Sequence, residues 1–390
     1  MEEAVYDSAV QGLLTLSGDE KMKIFTIQRA FLNILGFNWF EGGIGLFLPG
    51  FLKHNAYRCI YPSWMIVTGI LTLDYALRFQ DVFIQKINGY ICSMTFFSAA
   101  LKIIVFNIYG SRVKKLYEEV EALGVLNAKT PKIEGHLKVG LSYAALVFSN
   151  AMTWSLWWLL VHADIPFGIT LPWESKGFNF LFTVQVGFLA ACFCALCHIL
   201  VDTTFQMLVA GITFHIDRLS ELLSQLGSNQ KKLSDDAIMA SAVDLHVELL
   251  KIANLLAAGY SDLFVCQSVY TVVHSCILLY GAVNVDNKVE VVMNQGTMLA
   301  TSYAQLLVYC FYGDLLTSKF EELLFSSYDN AWYQSPLKVK KSLAHFSKMT
   351  HRRISLRGFG GVQPSLSNWL HSLQDSVSYF LFLKTVTTEV

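Results

Sequence analysis

Long apolar runs separated by short polar stretches dominate this chain, and several runs keep an amphipathic helical period well past their apolar ends. A crossing of a hydrocarbon core of roughly 30 Å needs about 20 residues at ~1.5 Å rise per residue. On that measure spans are expected at about Cys59–Phe79, Ile87–Tyr109, Leu137–Val161, Phe178–Phe205, Ala257–Val283 and Val292–Tyr312. After the second run, SRVKKLYEEVEAL places Val113, Leu116, Val120 and Leu123 on one stripe, so that helix continues into water. The fourth runs on through HIDRLSELLSQL. The fifth starts in water near Ala237, with Leu245, Leu249, Ile252 and Leu256 in period. The sixth extends outward to Tyr328. A short amphipathic helix follows Pro336.

The last stretch, HRRISLRGFGGVQPSLSNWLHSLQDSVSYFLFLKTV, has a basic cluster, then a glycine break, then Pro364, which suits a first helical turn. Ser365 to Val386 is one more crossing. Ser372, Gln374, Asp375, Ser376 and Ser378 make it too polar for a lipid-bathed helix. Polar groups at that depth face protein or a water-filled path. The earlier segment Ala30–Leu52 is apolar but broken by Glu41, glycines and Pro49. It reads as a re-entrant or interfacial piece, with a true span as the alternative. The expected fold class is an all-α membrane protein of seven transmembrane helices with cytoplasmic helical extensions.

Charge sets the orientation. The loops after spans two, four and six carry Arg112, Lys114, Lys115, Lys129 and Lys132; Arg218, Lys231, Lys232 and Lys251; and Lys319 through Arg357. The intervening loops have only Lys176 and Lys288. Cytoplasmic loops are the Lys/Arg-rich ones, so the N-terminus is expected inside and the C-terminus outside. Composition agrees with a polytopic membrane protein: 54% of 390 residues are hydrophobic and 15% charged, against about a quarter charged in soluble domains. The net charge of −1 says nothing about partners, and no basic patch suits nucleic acid. The N-terminus lacks a basic-then-apolar signal, so the first membrane segment is expected to direct targeting. The eight cysteines read as small apolar residues.

The segments YDNAWYQSPLKVKKSL and LRGFGGVQPSLSNWLHSLQDSVSYFLFLKTV resemble the C-terminal signature of insect odorant receptors: Tyr328, Trp332 and Tyr333, a basic amphipathic helix, Pro364 to Leu366, and Ser378 to Phe380. LGFNWFE (Leu35 to Glu41) resembles the family's early Leu-Gly-x-Trp-Pro, with Glu41 near the usual proline. The glycine break at Arg357 to Gly361 departs mildly from the family form. The resemblance implies an odorant receptor subunit of an odour-gated, non-selective cation channel in the plasma membrane of olfactory neurons, assembled as a heterotetramer with a shared co-receptor. The short linker Gly227 to Asp236, against the co-receptor's long loop, implies the odour-tuning subunit. No cofactor and no catalytic residue is expected. The organisation expected is 1–58 (N-terminus and re-entrant piece), 59–328 (spans one to six), 329–362 (anchor helix) and 363–390 (pore helix and tail).

On the last helix His371, Asp375, Ser378, Phe382 and Thr385 or Val386 share a stripe. A pore is lined by polar or weakly apolar groups and closed by an apolar ring. The stripe is therefore expected on the conduction path, with Asp375 concentrating cations. Alignment with the family places Phe382 and Val386 at the gate. The alternative is packing against spans five and six. The family's ligand site implies Tyr90, Met94, Phe97, Trp154, Trp158, Phe188, Tyr270 and His274 as contacts for a small volatile, each with core packing or lipid anchoring as alternative, and their aromatic content suggests an aromatic or heteroaromatic ligand. Tyr270 and His274 share a face as possible hydrogen-bond donors. His162 and Asp164 are a candidate lid. Asp74 and Lys102 are candidates to pair with each other or to snorkel. His198 and Asp202 are spaced as a metal pair or as a hydrogen-bonded pair. Trp332 and Tyr333 are expected at a subunit interface, and Lys338, Lys340 and Lys341 near acidic lipid. A metabotropic seven-helix receptor and a secondary transporter are the competing classes. Inverted orientation weighs against the first, and a single broken segment against the second.

Overall fold

The computed structural model describes residues 57–78, 83–123, 131–161, 178–228, 233–284, 289, 291–351, 356 and 361–388. The segment Ala30–Leu52 and the pair His162 and Asp164 lie outside them. Secondary structure among the described residues is helical. In chain order these are α1 Tyr57–Arg78, α2 Phe83–Ile108, α3 Gly110–Ala122, α4 Pro131–Val161, α5 Phe178–Leu223, α6 Asp235–Val283, α7 Thr297–Ser326, α8 Leu337–Thr350 and α9 Leu366–Thr388. Four of them, α1, α2, α5 and α6, are long and apolar enough to cross a membrane by length and composition. α4, α7 and α9, the last two diluted by polar positions, are the other helices at expected span positions.

Two helices organise the bundle. α5 has 46 residues and α6 has 49, which at ~1.5 Å per residue makes each about 70 Å long, twice a hydrocarbon core. Their near ends turn tightly. Gly227 has φ 70°, and a Cβ there would lie 2.0 Å from the Ala331 carbonyl oxygen, so only glycine fits. The Asp235 carboxylate accepts the Gly227 N–H at 3.2 Å, and Ser234 caps α6 by accepting from the Ala237 N–H.

The extensions then pack as their period requires. α3 follows α2 with a single-residue break at Tyr109 and buries Val113, Leu116 and Val120 completely. It lies on α6, where Lys251 bonds Glu119 at 2.7 Å and holds that carboxyl below the usual range. Lys319 of α7 reaches Asp217 of α5 at 3.0 Å. α8 starts after Pro336 and buries Val339, Leu343 and Phe346. The Phe346 ring lies 4.9 Å from that of His246 on α6.

α9 packs along α6 and α7. The Trp369 indole donates to the Tyr303 carbonyl at 3.1 Å, Tyr303 donates to Ser376 at 2.8 Å, and the Leu366 N–H donates to Asp314 at 2.8 Å. Its entry is set by a close approach: a Cβ on Gly313 would lie 2.4 Å from the Pro364 carbonyl oxygen. One feature has no sequence signal. A turn of π-helix, Val291–Gly296, precedes α7 and buries Asn294 and Gln295.

Candidate functional site

A cavity of about 50 Å³ lies among five helices, at the end of the bundle away from the extensions. α2 contributes Cys92, Thr95 and Phe96; α4 contributes Val147, Asn150 and Ala151; α5 contributes Ala191, Cys194, Ala195 and His198. Tyr270 comes from α6, and Met298, Thr301, Ser302 and Gln305 from α7. The space exists because small side chains from three helices meet: Ala151, Ala191, Ala195, Cys92 and Cys194. The wall is largely apolar with a few polar groups, the usual composition of a small-molecule site.

Thr95, Tyr270 and Ser302 are linked around His274. Thr95 Oγ1 donates to the Ile91 carbonyl at 2.9 Å and so stands as an acceptor for Tyr270 Oη at 3.3 Å and His274 Nε2 at 3.4 Å. His274 Nδ1 then accepts from Ser302 at 3.0 Å, and its ring stacks on Tyr270 with centroids 4.8 Å apart. Gln267 donates to Gln305 at 3.2 Å.

Of the ligand positions expected from sequence, Tyr270 lines this cavity. His274 is fully buried one layer behind, with both ring nitrogens engaged by neighbouring side chains rather than turned to the space. Trp154 is also fully buried, and its indole donates to the Asn294 carbonyl at 3.2 Å. Tyr90, Met94 and Phe97 lie on other faces of α2, Phe97 over Gly69 of α1. Phe188 is 36% exposed on the outside of α5. Trp158 belongs to α4; its side chain is outside the described set. The wall residues of α7 were not among the expected positions, nor were Asn150 and His198. The signal for those two was their polarity inside apolar spans.

One turn further along α2 and α5 lies a buried charge centre. Lys102 Nζ bonds both carboxylate oxygens of Asp202, at 2.7 and 3.0 Å. Tyr143 donates to Asp202 at 2.5 Å and Tyr309 at 2.6 Å, and Lys102 sits over the Tyr309 ring at 5.6 Å. Lys102 therefore pairs with Asp202 and not with Asp74, which bonds Arg78 at 2.7 Å one turn away. Asp202 and His198 turn to different partners. Among the described residues no group of three or more His, Cys, Asp or Glu side chains is arranged for a metal. All eight cysteines are free.

On α9 the face carrying Ser372 and Ser376 is buried against α7, whereas His371, Asp375, Ser378, Phe382, Thr385 and Val386 are exposed on the single chain. Packing of that stripe within the chain, the alternative considered above, is not what the structure shows. Trp332 and Tyr333 are likewise exposed, at 37% and 63%.

Comparison with known proteins places this arrangement. A family model described as 7tm Odorant receptor matches residues 135–374. Odorant receptor 82a of Drosophila melanogaster is 20% identical over 229 residues, 57% of this chain; the chain spans 58% of that receptor's length. Among solved structures, the insect olfactory receptor OR5 from Machilis hrabei superposes with a TM-score of 0.76 at 15% identity, covering 92% of this chain and 97% of that one. The same receptor in complex with eugenol also gives 0.76 at 15% identity, over 99% and 100%.

Proposed function

This chain belongs to the 7tm odorant receptor family, and we propose that it is the odour-tuning subunit of an odour-gated, non-selective cation channel in the plasma membrane. A small volatile binds among the helices, and a shared co-receptor subunit completes a heterotetramer. The observation that carries the reading is the division of α9. One face is fixed to α7 through Ser376 and Tyr303, and the other leaves Asp375, Ser378, Phe382 and Val386 exposed on the single chain. A helix polar along its middle and exposed on one stripe suits a water-filled path walled by several subunits. Asp375 draws cations, and Phe382 with Val386 or Thr385 closes the path.

Residues 59–328 hold spans one to six, 329–362 anchor neighbouring subunits through Trp332 and Tyr333, and α9 is the pore helix. The cavity around Tyr270 is the odour site. Tyr90, Met94, Phe97, Trp154, Phe188 and His274 shape it from the surrounding layers or its entry.

The reading requires the C-terminus outside the cell. An epitope added after Val390 is expected to be labelled by antibody on intact cells, and one added before Met1 only after permeabilisation. A C-terminus reached only after permeabilisation is the outcome expected of a metabotropic seven-helix receptor and sinks the channel reading.

A further inference from the structure

We propose that the cavity is built for a neutral ligand that carries a hydrogen-bond donor, a hydroxyl or a ring N–H, seated against Asn150 and His198. This rests on the reading of the cavity as the odour site.

The argument is one of proton placement. Ser98 Oγ donates to the Thr95 carbonyl at 2.9 Å, so it is an acceptor toward His198 Nε2, 3.4 Å away. The ring proton is then on Nε2, and Nδ1 carries a lone pair. That Nδ1 is buried and has no partner among the described residues. Asn150 donates from Nδ2 to the Met298 sulfur at 3.3 Å, a weak acceptor, and its Oδ1 is likewise buried without a partner. Both side chains are more than nine-tenths buried, at 8% and 2% exposure, and both line the cavity. Three other polar wall groups are committed, and the Gln305 Oε1 is taken by Gln267. Thr301 donates to the Thr297 carbonyl, Ser302 to His274, and Tyr270 to Thr95. At Asn150 and His198, therefore, the wall offers an incoming molecule acceptors.

Buried polar atoms are normally satisfied. A ligand that donates completes these two, whereas one that only accepts sets lone pair against lone pair. Among the described residues no Asp or Glu lines the cavity, and Asp202, in the charge centre further along, is held by Lys102 and two tyrosines. A protonated amine would therefore enter without a counter-charge.

The test uses shape-matched probes on the full chain. Cyclohexanol is compared with cyclohexanone and methylcyclohexane, and phenol with fluorobenzene and toluene. Binding is read from the thermal unfolding of purified chain, and separately from odour-evoked current in cells with the co-receptor. The donor of each set is expected to act at concentrations about tenfold or more below its matched partners, a difference of one good hydrogen bond. His198→Phe and Asn150→Leu are expected to shrink that preference to about twofold or less. His198→Asn, which keeps an acceptor near the Nδ1 position, is expected to retain it, so the pair of histidine variants separates recognition from folding. Equal potency of donors and acceptors, no stabilisation by any probe, or a preference that survives His198→Phe together with Asn150→Leu overturns the inference. Donor-selective binding without current leaves the inference standing and removes the channel reading. Current evoked equally by every probe does the reverse.

Discussion

Asp202→Ala is expected to leave almost no folded chain at the cell surface. The carboxylate is fully buried and holds together three other helices: Lys102 from α2, Tyr143 from α4 and Tyr309 from α7. Truncation strands the Lys102 ammonium, whose side chain is only 3% exposed, and unpairs two tyrosine hydroxyls. Removing one partner of a buried pair costs about 3–5 kcal/mol, and each buried hydroxyl left alone adds about 1–3 kcal/mol. Against a total stability of about 5–15 kcal/mol, that sum abolishes most folded protein. Lys102→Met with Asp202→Leu removes both charges and is expected to recover part of the loss, short of wild type because Tyr143 and Tyr309 stay unpaired. Surface biotinylation and the unfolding midpoint of purified chain check the series. Wild-type surface levels in Asp202→Ala would show that the centre contributes little.

Phe382→Ser is expected to give a standing current without odour. The Phe382 side chain is 66% exposed on the single chain, and in the proposed closed pore its ring gains apolar neighbours from the other subunits. Burial of such a ring is worth about 1.5–3 kcal/mol. Loss of even half of the upper value shifts the open-to-closed ratio about tenfold, and a hydroxyl at the constriction also favours wetting. Cysteines at 382 and 386 should react with water-soluble thiol reagents faster while odour holds the channel open. Ser376→Ala, on the opposite face, should weaken the tie to Tyr303 without opening the pore. An unchanged resting current in Phe382→Ser and no reaction at either cysteine would place the gate elsewhere.

The spans were legible because apolar length and helical period are local properties. Cys59–Phe79, Ile87–Tyr109 and Phe178–Phe205 fall within a few residues of α1, α2 and the membrane part of α5, and the helix after Pro336 starts where expected. The cavity was far less so. Large aromatic residues draw attention in a sequence, but a cavity is made where volume is missing, and Ala151, Ala191, Ala195 and Cys194 have meaning only once α4 and α5 lie beside α2. Lys102 and Asp202 each stood out as charges in apolar runs. Their pairing spans 100 residues, so no spacing rule links them. The π-helical turn before α7 depends on tertiary packing around Asn294 and Trp154, which local propensity does not encode.

The central claim, an odour-tuning channel subunit, meets its most direct test in two-electrode recording of this chain expressed alone and with the family co-receptor, under a panel of small volatiles and with G-protein signalling blocked. The account predicts odour-evoked cation current only when both chains are present, undiminished by the block. Current carried by this chain alone, or current that disappears with the block, would contradict it.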